Sequence, residues 1–247
     1  MKKKIWPLVS LSMLAVIIYM LAVHFYIYHT IGVAALKATD NRHIYMVNSI
    51  KDKPRLYYVA LGDSLTSGVG TEKYEQSYPF LLAEKLSVDN SVTHINFSYP
   101  GARTEDVIRD LLPKALAEKA DVITLLVGTN DVHGGVSEEE FVQNYKFILS
   151  ELTKKTKAKI NVVSIPFIGD DSLLLPPYDY SYRKKILEFN SDIKLLAIQF
   201  GVRYIDLTTP TTESSHGGNG YYSIDKFHPS SLGYKMWADI IYDHLDK

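Results

Sequence analysis

The sequence predicts an α/β domain built on a parallel sheet. Three observations carry that reading. From Leu56 onward, short runs of β-forming apolar residues alternate five times with segments of helical period. One run, DVITLLVG (121–128), is apolar almost throughout, as expected of a strand covered on both faces. The remaining length, roughly 190 residues, suffices for one such domain with a sizeable core.

The elements follow in order. Leu56 to Leu61 is the first strand, and SYPFLLAEKLS (77–87) has helical spacing. VTHINFS (92–98) is the second strand. TEDVIRDLLPKALAEKA (104–120) opens like a helix, and Pro113 should kink or interrupt it. After the third strand comes SEEEFVQNYKFILSELTKKTK (137–157). Ser137 is placed to cap it, with acids in its first turn and lysines in its last, as the helix dipole favours. KINVVSIPF (159–167) is the fourth strand, and a helix over 181–200 closes at Gly201. VRYIDLT (202–208) is the fifth strand and residues 230–247 the last helix. Crossovers between parallel strands are right-handed.

The N-terminus is different in kind. Three lysines precede a stretch without a charged residue until Lys37, and Ile5–Tyr28 is long enough to cross a bilayer. Residues 1–36 therefore read as a cytoplasmic lysine stub and a transmembrane anchor, with the lysines favouring an outward-facing domain. A cleaved signal peptide, with Ala34 and Ala35 near the cut, is the alternative. Residues 37–54 read as a juxtamembrane linker and 55–247 as the folded domain. The formal net charge of -1 gives no basic footprint for nucleic acid. The chain has no cysteine, which excludes disulfides, thiolate metal sites and a cysteine nucleophile.

Ligands of open α/β sheets bind beyond the carboxyl ends of the strands. The loops there carry GDSLTSG (62–68), SYPGARTED (98–106), GTNDVHGG (128–135), and two long segments, 166–181 and 208–231. A serine hydroxyl needs a base to take its proton, and the base works best when a carboxylate holds its other nitrogen. Ser64 is the candidate nucleophile, His228 the base and Asp225, three residues earlier, its partner. An oxyanion needs preorganised donors. The backbone N–H groups of Ser64 and Gly101 and the side-chain amide of Asn130 are the candidates. This chemistry needs no cofactor, and no His/Asp/Glu cluster has a metal-binding spacing.

These four blocks resemble the SGNH hydrolases, also called GDSL-type esterases and lipases. Gly62-Asp63-Ser64-Leu65 resembles the family's first block and Gly101 the glycine of its second. Gly128-Thr129-Asn130-Asp131 resembles the third, and Asp225 to Pro229 the Asp-x-x-His-Pro of the last. The resemblance covers Leu56 to the C-terminus. It implies a flavodoxin-like α/β/α sandwich with a parallel five-stranded sheet. It also implies ester hydrolysis with Ser64, Asp225 and His228 catalytic and Ser64, Gly101 and Asn130 forming the oxyanion hole.

Asp63 and Asp131 fit loop scaffolding better than chemistry. His133 and His216 lie in glycine-containing loops near the expected pocket, either as substrate contacts or as solvated residues. The apolar SLLLPPYDY (172–180) would suit an acyl chain, and the polar 208–222 a sugar. Lipid esters and acetylated cell-surface glycans therefore both remain open as substrates. A membrane-tethered module of the same fold without turnover is the alternative function. Oligomeric state is not legible.

Overall fold

The computed structural model describes residues 5–35, 44–47, 53–214 and 220–246. Helix α1 (Ile5–Ala35) carries the uncharged N-terminal run, and its stretch Val9–Ile31 has mean hydropathy 2.0. It leans on the domain through buried Val23 and Ile27, and the Tyr19 hydroxyl donates to the Pro176 carbonyl at 2.9 Å. Strand β1 (Ile44–Val47) follows, within the segment read as linker. Strand β2 (Arg55–Gly62) leads directly into the one-turn helix α2 (Ser64–Ser67). A 3-10 turn (Tyr74–Gln76) precedes α3 (Tyr78–Leu86), which takes Pro79 in its first turn, where no N–H is needed. Strand β3 (Ser91–Ser98) is next.

The helix expected over 104–120 is broken, as Pro113 requires. It begins as α4 (Thr104–Asp106), widens into a π turn (Val107–Leu111) and resumes as α5 (Leu112–Ala117) with the proline in the first turn. Strand β4 (Val122–Leu126) is buried at every residue, and the short α6 (Thr129–His133) follows. In α7 (Glu138–Lys155) the Ser137 hydroxyl accepts from the Glu140 N–H at 3.2 Å, the predicted cap. Strand β5 (Lys159–Val163), α8 (Tyr178–Phe200), β6 (Arg203–Ile205), α9 (Thr208–Ser214) and α10 (Ser231–His244) complete the chain.

The sheet runs β1-β3-β2-β4-β5-β6. Strands β2 to β6 pair in parallel, but β1 pairs antiparallel with β3, setting Tyr45 opposite His94. The sheet is thus six-stranded and mixed, and the expectation of a parallel five-stranded sheet is corrected. The reason is local: β1 is only four residues long and sits in a polar stretch too short to show a period. Chain order reverses at β2, so right-handed crossovers send α3 to one face and α4, α5, α7 and α8 to the other. Helix α10 packs beside α3. The result is a three-layer α/β/α sandwich.

Candidate active site

Gly62 ends β2 where the chain is most crowded. A Cβ there would collide with Thr66 Oγ1 and the Leu126 carbonyl, so only glycine lets the strand turn at once into α2. Asp63 then caps that helix, its Oδ1 accepting from the Leu65 N–H at 2.9 Å. Ser64 becomes the first helical residue, beyond the carboxyl end of a central strand. It is 5 % exposed.

The candidate base comes from the loop before α10. His228 Nε2 lies 2.9 Å from Ser64 Oγ, and His228 Nδ1 lies 2.6 Å from Asp225 Oδ2. The other Asp225 oxygen accepts from Ser223 Oγ at 2.6 Å and from the Phe227 and His228 N–H groups, each at 2.9 Å. Burial acts to raise the Asp225 carboxyl. The His228 hydrogen bond and charge, with the Ser223 and Phe227 donors, outweigh it and hold the group below its ordinary value. An ionised Asp225 fixes the proton on Nδ1 and leaves Nε2 free to accept from the serine. Ser223 was not anticipated, since a serine two residues before an aspartate is ordinary loop composition.

The oxyanion candidates lie on neighbouring strand ends. Gly101 follows β3 with φ of 87°, a left-handed backbone, and nothing crowds its missing Cβ. Its glycine is therefore demanded by conformation rather than by space. Asn130 sits in α6, its Nδ2 donating to the Ala102 carbonyl at 3.0 Å and lying 3.5 Å from Asp63 Oδ2. The amide thus joins the Gly101 loop to the Ser64 loop. Asp131 accepts from both the N–H and the hydroxyl of Thr104, the latter at 2.6 Å, and so ties α6 to the start of α4.

Two titrating groups border the site. Burial, eased by the Leu65 N–H and reinforced by the Asp131 charge, pushes Asp63 up to about 7. Burial and the nearby His228 bring His133 down to about 4. The His133 ring packs on Tyr182 (4.3 Å) and on Phe227 (5.2 Å), the residue preceding the base. His216 lies outside the described residues, and α9 occupies the start of its loop. Two of the three leucines of 172–180 do not face an open acyl surface: Leu173 and Leu174 are buried in the core, and Leu175 is partly buried against it. Among the described residues no group of three or more His, Cys, Asp or Glu is placed to hold a metal.

This sandwich, with an Asp-His pair at its strand ends, defines a class: the GDSL or SGNH type of esterase and acylhydrolase. The chain belongs to the GDSL-like Lipase/Acylhydrolase family, whose sequence profile matches residues 60–236. It is 28% identical over 212 residues to the spore germination lipase LipC of Bacillus licheniformis, covering 74% of this chain and 93% of that one. Its fold is that of a lipase/acylhydrolase from Enterococcus faecalis, at 22% identity and TM-score 0.63, with 77% of this chain and 97% of that one aligned. It is also that of Axe2, an acetylxylan esterase from Geobacillus stearothermophilus, at 17% identity and TM-score 0.63, covering 79% and 96%.

The same alignments correct one expectation. Those two structures are matched over nearly their whole length by less than four-fifths of this chain, so the fold is complete without a further spanning segment. The single-pass anchor holding the domain outside the membrane does not stand. Length and composition alone recommended α1 as a span, and a cleaved leader near the N-terminus passes the same test.

Proposed function

We propose that the chain is a serine esterase that transfers the acyl group of a carboxylic ester to Ser64 and then to water. The observation that carries this is the continuous hydrogen-bonded set Ser64–His228–Asp225. His228 takes the Ser64 proton as the oxygen attacks the carbonyl carbon, and Asp225 steadies the imidazolium. The N–H groups of Ser64 and Gly101 hold the charge on the carbonyl oxygen, with the Asn130 N–H that makes the long 3.5 Å contact to Asp63 turning to it as the substrate binds. His228 returns its proton to the leaving alcohol. It then activates the water that frees the acid. No step calls for a cofactor.

Short acyl groups suit the site best. Of the three leucines that could have lined a long-chain pocket, Leu173 and Leu174 are spent in the core and Leu175 is partly buried against it. An acetyl ester on a glycan accordingly fits better than a fatty acyl ester. The test is hydrolysis of p-nitrophenyl acetate, butyrate and palmitate by the full chain, with fluorophosphonate labelling and Ser64→Ala beside it. Activity should be greatest on acetate, fall about 10⁶-fold in the variant, and coincide with labelling at Ser64. A folded protein that neither turns over esters nor labels would instead be a binding module of the same fold.

A further inference from the structure

Helix α2 is one turn long. So short a helix does not hold itself together, because its first turn costs more order than its few bonds return. Something outside it must hold Ser64 in line with His228. The hydrogen bonds behind it form a buried chain that reaches back through Asn96 and Tyr74 to His94.

His94 is wholly buried on β3. Its Nδ1 faces the Tyr58 carbonyl at 3.3 Å, and a carbonyl can only accept, so Nδ1 carries the proton. Nε2 is then an acceptor, and the Tyr74 hydroxyl donates to it at 2.7 Å. With its proton committed, the Tyr74 oxygen accepts from Asn96 Nδ2 at 2.7 Å. The second Nδ2 hydrogen goes to the Thr66 carbonyl, inside α2, at 3.0 Å. Asn96 Oδ1 accepts from Ser98 Oγ at 2.7 Å, and Ser67 Oγ in α2 reaches Ser98 Oγ at 2.9 Å and the Asp63 carbonyl at 3.0 Å. Asn96 thus donates both to Tyr74 and to α2, and the single Ser67 hydroxyl proton is shared between Ser98 and Asp63. Burial, only partly offset by the Tyr58 carbonyl, brings His94 down to about 3, so the ring is uncharged at neutral pH.

The Tyr45 ring stacks on Tyr74 at 4.5 Å and lies 5.9 Å from His94, while Tyr58 stacks on the other side of His94 at 4.7 Å. Tyr45 belongs to β1, which precedes the residues matched by the family profile. The chain supplies its own cover for the polar line.

We propose that His94, Tyr74 and Asn96 are positioning residues for the nucleophile, a buried line of hydrogen bonds that sets α2 and with it Ser64 Oγ. This rests on the esterase reading above. The experiment compares Tyr74→Phe and Asn96→Asp with the parent full chain and with Asn161→Leu. Asn161 is a buried amide on β5 bonded to Asp246 and not to α2, and it serves as a stability control. The readouts are the fluorophosphonate labelling rate, kcat and KM on p-nitrophenyl acetate, and Tm. Both line variants should lose about 10–100-fold in labelling rate and kcat, the scale of a small misplacement of reacting groups, with KM little changed. Asn161→Leu should lower Tm and leave both rates alone. Tyr74→Phe keeps the ring stack, so it decides the matter if Asn96→Asp does not fold. Line variants that are folded and label at the parent rate would overturn the proposal. A parent that does not label at all would overturn the esterase reading on which it stands.

Discussion

The two arms of the candidate site, named for the proposed base and nucleophile, are held in opposite ways. The base arm, Ser223 to Pro229, is held locally: Asp225 gathers Ser223, Phe227 and both the N–H and ring of His228 within six residues. The nucleophile arm is held from afar. Thr66 Oγ1 meets the Tyr78 hydroxyl at 3.0 Å, the Thr66 carbonyl takes Asn96, and the Val69 carbonyl accepts from the Tyr234 hydroxyl at 2.8 Å. One arm concentrates its geometry in a single carboxylate, and the other spreads it over three elements. A concentrated arm fails at one residue, whereas a distributed one weakens by steps.

The largest expected effect tests the concentrated arm. Asp225→Asn keeps an oxygen for the Phe227 and His228 N–H groups but turns an NH₂ toward His228 Nδ1. The ring is then held in the wrong tautomer, and kcat should fall about 10⁴-fold in steady-state assays. A loss of only a few-fold would mean that the arm is not concentrated in Asp225. Next comes Asn130→Ala, which removes the amide joining the Gly101 and Ser64 loops. Turnover should drop about 10²–10³-fold, and unchanged turnover would take Asn130 out of the oxyanion hole.

The smallest effect falls on stability. Asp63 has a folded-state value of about 7 against an ordinary 3.8, so the folded protein holds this proton more tightly than the unfolded chain. That contribution is fully present below about pH 4 and is lost as pH rises through 7. Asp63→Asn keeps the acceptor for the Leu65 N–H and deletes the titration. Measured against the parent, the variant's Tm should therefore improve as pH rises from about 4 to about 7. A flat difference would show that the Asp63 proton does not couple to folding.

The contrast between the arms also explains what the sequence disclosed. Asp225-x-x-His228-Pro229 is legible because its bonds close within the motif itself. The alternation of strands and helices is legible for the same reason, being a local period. The support of Ser64 is not, since Tyr74, Asn96 and Tyr234 carry no signature until folding brings them beneath α2. Leu173 and Leu174 misled for want of a period: in an irregular loop, nothing in the sequence separates a leucine facing a ligand from one facing the core. Strand β1 was hidden among polar neighbours, and α1 satisfied tests of length and composition that a leader satisfies equally.

Strand β1 has a consequence for how crowded copies of this protein behave. Any sheet border offers unpaired N–H and C=O groups to another chain. Here the two borders are β1, of four residues, and β6, of three, while the eight-residue β2 and β3 lie inside. Strand β1 covers Val92–Ile95 of β3, which without it would become a template for intermolecular pairing. The short antiparallel strand is thus a guard against aggregation, leaving a neighbouring copy little rim on which to grow a larger sheet.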